Sequence, residues 1–228
     1  MTNMGYQERL KSFFDPLVFR YKVTKEVKKQ TDRLLASDFN VIQFFGVDEI
    51  RLSKIIAFLL DPTKEHAQGD IFLKKFMQSP ELGVSDDHDT GGVVVTTEAA
   101  VCESRRIDIL LEFKDGFMLG IENKPWAEDQ EKQLHDYAID IDSRTKGNYK
   151  LLYLSGEDRE PSDWSIPRET RKSLQRYGKL VCITYAGFLA SWLKECFKEC
   201  EAERIRYFIK DFIAYIDNNF PRGGETYE

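Results

Sequence analysis

Apolar residues recur at helical spacing through the first third of the chain and at strand spacing through the middle. Residues 7–36 read as one helix. In YKVTKEVKKQTDRLL, the residues Lys22, Lys25, Lys29 and Arg33 share a face with Glu26, the pattern of a solvated helix surface. DEIRLSKIIAFLL predicts a second helix over 48–60, with Ile55, Ile56, Leu59 and Leu60 in phase and Pro62 closing it. GDIFLKKFM predicts a third over 69–78. The turn formers of SPELGVSDDHDTGG end this helical section. VVVTTEAAVCE then reads as a strand, followed by strands at 105–113 and 117–124. A helix over 126–143, a strand over 150–156, a helix over 168–177 and a strand over 179–185 follow. Residues 157–167 are a polar loop with Pro161, Trp164 and Pro167. In IRYFIKDFIAYI, the stripe Ile205, Phe208, Ile209, Phe212, Ile213 and Ile216 marks a core-facing helix. Two strands are each reached through a helix. The fold class is therefore α/β, a mixed sheet of about five strands with helices on both faces and helical segments at both ends.

The middle hairpin carries polar residues that its apolar pattern does not need. Asp115-Gly116 is a turn signal. A two-residue turn would pair Asp108 with Asn123. A three-residue loop, Lys114-Asp115-Gly116, would put Gly116 in the left-handed bulge position, pair Phe113 with Phe117 and set Asp108 opposite Glu122. Only the second choice sorts the side chains. One face then holds Ile107, Ile109, Leu111, Phe113, Phe117, Leu119 and Ile121, with Asn123 as its one polar member. The other holds Arg106, Asp108, Leu110, Glu112, Met118, Gly120, Glu122 and Lys124.

Opposed strand residues have Cβ atoms about 5 Å apart. Two carboxylates at ~4 Å repel by about 4 kcal/mol at an effective dielectric near 20. A shared proton, a cation or splayed, hydrated side chains would each offset that cost. A divalent metal does so well, because Mg²⁺ takes one or two carboxylates with water and phosphate oxygens. Gly120 is expected to leave a ligand room to approach. Lys124 leaves the same face as Glu122 and could position a metal-bound water or neutralise charge on a phosphoryl group. An ordinary surface Glu–Lys pair fits the hairpin alone equally well. On the following helix, Gln130, Gln133 and Tyr137 fall at i, i+3 and i+7, offering amides and a phenol on one face.

Composition narrows the choices. The 228 residues include 42% hydrophobic and 32% charged residues, the balance of a soluble globular chain. No apolar run suits a membrane span and MTNMGYQERLKSFF lacks signal-peptide character, so the expectation is a cytoplasmic protein without a membrane. Cys102, Cys182, Cys196 and Cys200 make no disulfide framework, and Cys196 and Cys200 lack a second ligand pair for zinc. Three histidines exclude a His-rich metal site. His66, after a helix-ending Asp-Pro, could reach a cleft or equally bond loop backbone as a structural residue, and His88 in SDDHD could bind a cation but reads better as part of a solvated loop. The net charge of −6 argues mildly against a nucleic-acid binder, although a cleft can be locally positive. No G-x-S-x-G, P-loop or dinucleotide fingerprint is present.

Arg106-Ile107-Asp108, then Glu122-Asn123-Lys124, then Gln133 to Tyr137 as Q-x-x-x-Y resembles the PD-(D/E)xK nuclease superfamily, with a last element similar to that of its RecB-type members. Ile107 stands in place of the motif's Pro. Upstream, DEIRLSKIIAFLLDP, His66-Ala67-Gln68-Gly69 and FLKKF resemble the N-terminal half of an uncharacterised prokaryotic branch. The resemblance covers about 40–185. It implies a restriction-endonuclease-like core within a single domain of 1–228, and a Mg²⁺-dependent phosphodiesterase, with Mn²⁺ able to substitute, acting on DNA and in some members RNA. By position, Asp108, Glu122 and the Asn123 carbonyl would be metal ligands, and Lys124 would orient the attacking water. Glu49 would be the acidic residue of the core helix, and Gln133 and Tyr137 would bracket the site. The resemblance admits a homodimer. The competing reading is a non-catalytic adaptor for nucleic acid or protein that retains the fold.

Overall fold

The computed structural model describes residues 5–85, 87–102 and 105–220. The chain divides into two compact units between Asn40 and Val41. The first holds one helix, α1 (Tyr6–Leu35), which starts where Glu8 accepts the Gly5 backbone N–H and ends at left-handed Ala36; it buries no residue.

The second unit runs α2 (Val41–Phe45), α3 (Glu49–Leu60), α4 (Ile71–Met77), β1 (Val94–Cys102), β2 (Arg105–Glu112), β3 (Met118–Lys124), α5 (Gln133–Thr145), β4 (Tyr149–Ser155), α6 (Arg168–Arg176), β5 (Leu180–Thr184), α7 (Ala190–Glu199) and α8 (Glu203–Asn219). A π-helical turn at Tyr185–Leu189 leads into α7. The five strands lie in sequence order; β1–β2–β3 is an antiparallel meander, and β4 and β5 add in parallel. The mixed sheet of the sequence reading is thus present, as are its strands and the buried stripe of α8.

The three-residue hairpin loop is present too. The Phe113 N–H donates to the Phe117 carbonyl, Gly116 N–H to Phe113, and Gly116 has φ 82°, a left-handed value that glycine adopts freely. Both sheet faces are covered. Ile109, Leu111, Phe113, Phe117, Leu119 and Ile121 join the main core with α3, α4, α7 and α8. Leu110, Leu134, Tyr137, Ile141 and Leu151 form a second core under α5.

Several expectations change. Ile107 belongs to the second core, not to the face of Ile109. The reason lies in β1. Val95 packs on the main core, whereas Ala99 and Val101 join the second. Between them Glu98 has φ 52°. A left-handed residue breaks the alternation of a strand, and β2 follows its partner. Gly120 admits no ligand, since a Cβ there would lie 2.6 Å from Ile107 Cδ1 and 2.8 Å from Leu151 Cδ2. Its missing side chain is the space Ile107 occupies. Helix α5 begins at Gln133 rather than 126, and α2 is an addition. His88 stacks on Phe117 at 4.1 Å and pairs with Asp115 at 2.6 Å, so its loop is docked on the hairpin rather than solvated. His66 is structural: its Nδ1 accepts from the Gln68 N–H, leaving Nε2–H for the Asp61 carbonyl at 2.9 Å.

Candidate active site

The β2–β3 ladder pairs Ile109 with Ile121 and stops there. Continued by one residue, that register sets Asp108 opposite Glu122. Asp108 takes over from the ladder, its Oδ2 accepting the Asn123 N–H at 2.7 Å. The carboxylate is thereby fixed by backbone.

Successive residues of β3 leave on opposite faces. Asn123 turns towards α3 and α7. Its Nδ2 donates to Ser53 Oγ at 2.9 Å and lies 3.4 Å from the Glu49 carbonyl, and its Oδ1 accepts from Tyr185 Oη at 2.7 Å. Glu122 and Lys124 turn towards α5. Lys124 Nζ lies 2.8 Å from Glu122 Oε1 and 3.5 Å from Glu49 Oε1. The approach to Glu122 is an ion pair off the direction of a hydrogen bond, and neither Glu122 oxygen has a hydrogen-bond partner. Glu49 arrives from the first turn of α3, whose N-cap Asp48 accepts the Arg51 N–H at 2.8 Å.

Gln133 and Tyr137 lie one turn apart on α5, and both are buried. Gln133 Nε2 donates to Tyr137 Oη at 3.1 Å, and Tyr137 Oη donates to the Arg106 carbonyl at 2.5 Å. The phenol therefore ties α5 to the strand bearing Asp108. Glu49, Asp108, Lys124, Gln130, Gln133 and Tyr137 all line one cavity of about 370 Å³. Glu122, only 1% exposed, lies behind that lining. Arg105, Arg106 and Glu98 also line it. These three are outside the sequence-derived set. Glu98 had the signal that exposed Asp108, a carboxylate within a β-branched strand.

Burial dominates the electrostatics. It raises the Asp108 carboxyl to about 6, with the Asn123 N–H and Lys124 pulling the other way. It raises Glu122 to about 8, helped by the neighbouring charge of Asp108 and opposed by Lys124. For Lys124, burial favours the neutral amine, but Glu122, Glu49 and Asp108 outweigh it and hold the ammonium above its ordinary value. The surrounding carboxylates thus favour the charged form of Lys124.

Two carboxylates that burial resists charging, one of them with an oxygen that lacks a hydrogen-bond partner, suit a divalent cation. Among the described residues, no group of three or more His, Cys, Asp or Glu side chains is placed to hold a metal ion. Asp108 and Glu122 are the two side chains that could serve an ion here, with further donors left to backbone, water and substrate. Among the described residues, no helix is long and apolar enough to cross a membrane.

The family model of the PD-(D/E)XK nuclease superfamily matches residues 39–214. No curated protein matches the chain.

Proposed function

The chain belongs to the PD-(D/E)XK nuclease superfamily, and from that premise we propose a Mg²⁺-dependent nuclease that hydrolyses phosphodiester bonds in nucleic acid, with DNA as the substrate. One observation carries the reading: Glu122 is buried beside Asp108, its Oε1 met by the Lys124 ammonium at 2.8 Å and its Oε2 without a hydrogen-bond partner. A buried, unsatisfied carboxylate is costly and is retained where a ligand satisfies it.

Asp108 and Glu122 would hold the ion, with the Asn123 carbonyl as a further donor. When bound, the ion supplies Lewis acidity towards a phosphate oxygen and acidifies a water. The side chains have separate tasks. Asp108 is held by the Asn123 N–H, so its free oxygen faces a constant direction. Lys124, kept protonated, donates a hydrogen bond to the attacking oxygen and offsets negative charge growing on the phosphoryl group. Glu49 anchors the other side of that ammonium. Gln133 and Tyr137 position β2 against α5, and Arg105 and Arg106 bring positive charge to the mouth for the phosphate backbone.

The first test is calorimetric titration of Mn²⁺ and Mg²⁺ into wild type and Asp108→Asn. Saturable binding to wild type and its loss in the variant support the reading. Binding indifferent to Asp108, or none, overturns it. The net charge of −6 favours a second reading, an adaptor without turnover. Nucleic-acid binding with no cleavage in any divalent metal would establish that reading.

A further inference from the structure

Five non-glycine residues among those described have left-handed φ. Ala36 and Lys146 end helices and Ala67 lies in the α3–α4 connection, where such backbone is ordinary, and Lys132 closes the loop that precedes α5. The fifth, Glu98, sits inside β1. A strand residue with a long side chain adopts this conformation only where the surroundings impose it.

The strand register keeps its count through Glu98. Thr97 pairs with Ile109 and Ala99 with Ile107, so Glu98 stands opposite Asp108 with no residue inserted. The left-handed turn therefore re-aims side chains without resetting the pairing. Packing alone would be served at lower cost by glycine or asparagine. The chain instead places a carboxylate there, lining the cavity that Asp108 and Lys124 line. The Glu98 charge acts on Asp108. The independent sign of a ligand is again Glu122, buried beside Asp108, with one oxygen ion-paired to Lys124 and the other without a hydrogen-bond partner.

We propose that Glu98 is a positioning residue of the metal site, its carboxylate orienting water bound to a cation held by Asp108 and Glu122. This rests on the nuclease reading. Direct ligation is not assigned to Glu98, since among the described residues no three-carboxylate group is in place to grip an ion. Acceptors that fix a metal's ligands are worth about 10–100-fold in affinity.

The test combines Mn²⁺ calorimetry with thermal unfolding of the metal-free chain, on wild type, Asp108→Asn, Glu98→Gln and Glu98→Gly. Glu98→Gln preserves the side chain's size, so a merely structural role tolerates it. We expect it to weaken Mn²⁺ binding about 10-fold. Glu98→Gly relieves the left-handed backbone, so the metal-free melting temperature should rise by about 2–4 °C while Mn²⁺ binding weakens at least as much. If Asp108→Asn abolishes binding but both Glu98 variants bind within twofold of wild type, the Glu98 proposal falls and the nuclease reading stands. If wild type binds no Mn²⁺, both fall. If Glu98→Gly does not fold, Glu98→Gln alone decides.

Discussion

Asn123 and Glu122 are neighbours on one strand, both at most 1% exposed, and they present opposite cases. Asn123 has every side-chain atom engaged, by Ser53, the Glu49 carbonyl and Tyr185. Glu122 has two oxygens with no hydrogen bond. The side of β3 facing α3 is closed chemically, and the side facing α5 is left open. Burial of a polar group is therefore not what marks a site in this protein. What distinguishes Glu122 from Asn123 is a buried oxygen left without a hydrogen-bond partner.

The widest separation of the two sides should come from Lys124→Ala. With its donor removed, cleavage should fall by ~10²–10⁴-fold, while circular dichroism and the α3-side network stay intact. An undiminished rate would remove Lys124 from the chemistry. Asn123→Ala attacks the closed side. It strands Tyr185 Oη in the interior and removes one of the two hydrogen bonds of Ser53 Oγ, and should cost on the order of 1–3 kcal/mol in denaturant unfolding. A loss below about 0.5 kcal/mol, the scale of an ordinary surface change, would show that the network is dispensable.

A third test varies pH. Asp108 and Glu122 rise on folding from 3.8 to about 6 and from 4.5 to about 8. Between those limits the folded chain binds more protons than the unfolded one, so stability falls as pH rises. The metal-free melting temperature should therefore be lower at pH 8 than at pH 5. Asp108→Asn should flatten part of that slope, and Mn²⁺ should recover more stability at pH 8 than at pH 5. A melting temperature that climbs steadily to pH 8 would contradict the assigned burial of these carboxylates.

Much of this architecture can be read from the sequence, because the hairpin allows one clean sorting of its side chains. Gly116 and the alternation from Ile109 to Ile121 fix a register, and the register brings Asp108 to Glu122. The parts that escape depend on distant contacts. Glu128 to Lys132 have ordinary helix propensity, yet Asp129 instead accepts from Tyr153 Oη at 2.9 Å and the Ser162 N–H at 2.6 Å, and Lys132 takes a left-handed φ of 54°. Helix α5 starts only after them. Helix α2 has five residues, too few to show a period. The shift of Ile107 to the second core depends on Glu98, a residue on another strand whose backbone angle no pattern announces.

The hairpin loop that sets this register also bears on the order of assembly. Fourteen residues separate Asp108 from Glu122, and their strands meet through a tight three-residue connection. Such a hairpin closes on the microsecond scale. Glu49 and Ser53 come from far upstream, and β4 and β5 join in parallel through helical crossovers, contacts that close later. A nascent chain would thus bring its two carboxylates together before Glu49 reaches Lys124 or Ser53 reaches Asn123. The acidic pair is quick to form, and completion of the proposed site waits for the slow, long-range closure of the fold.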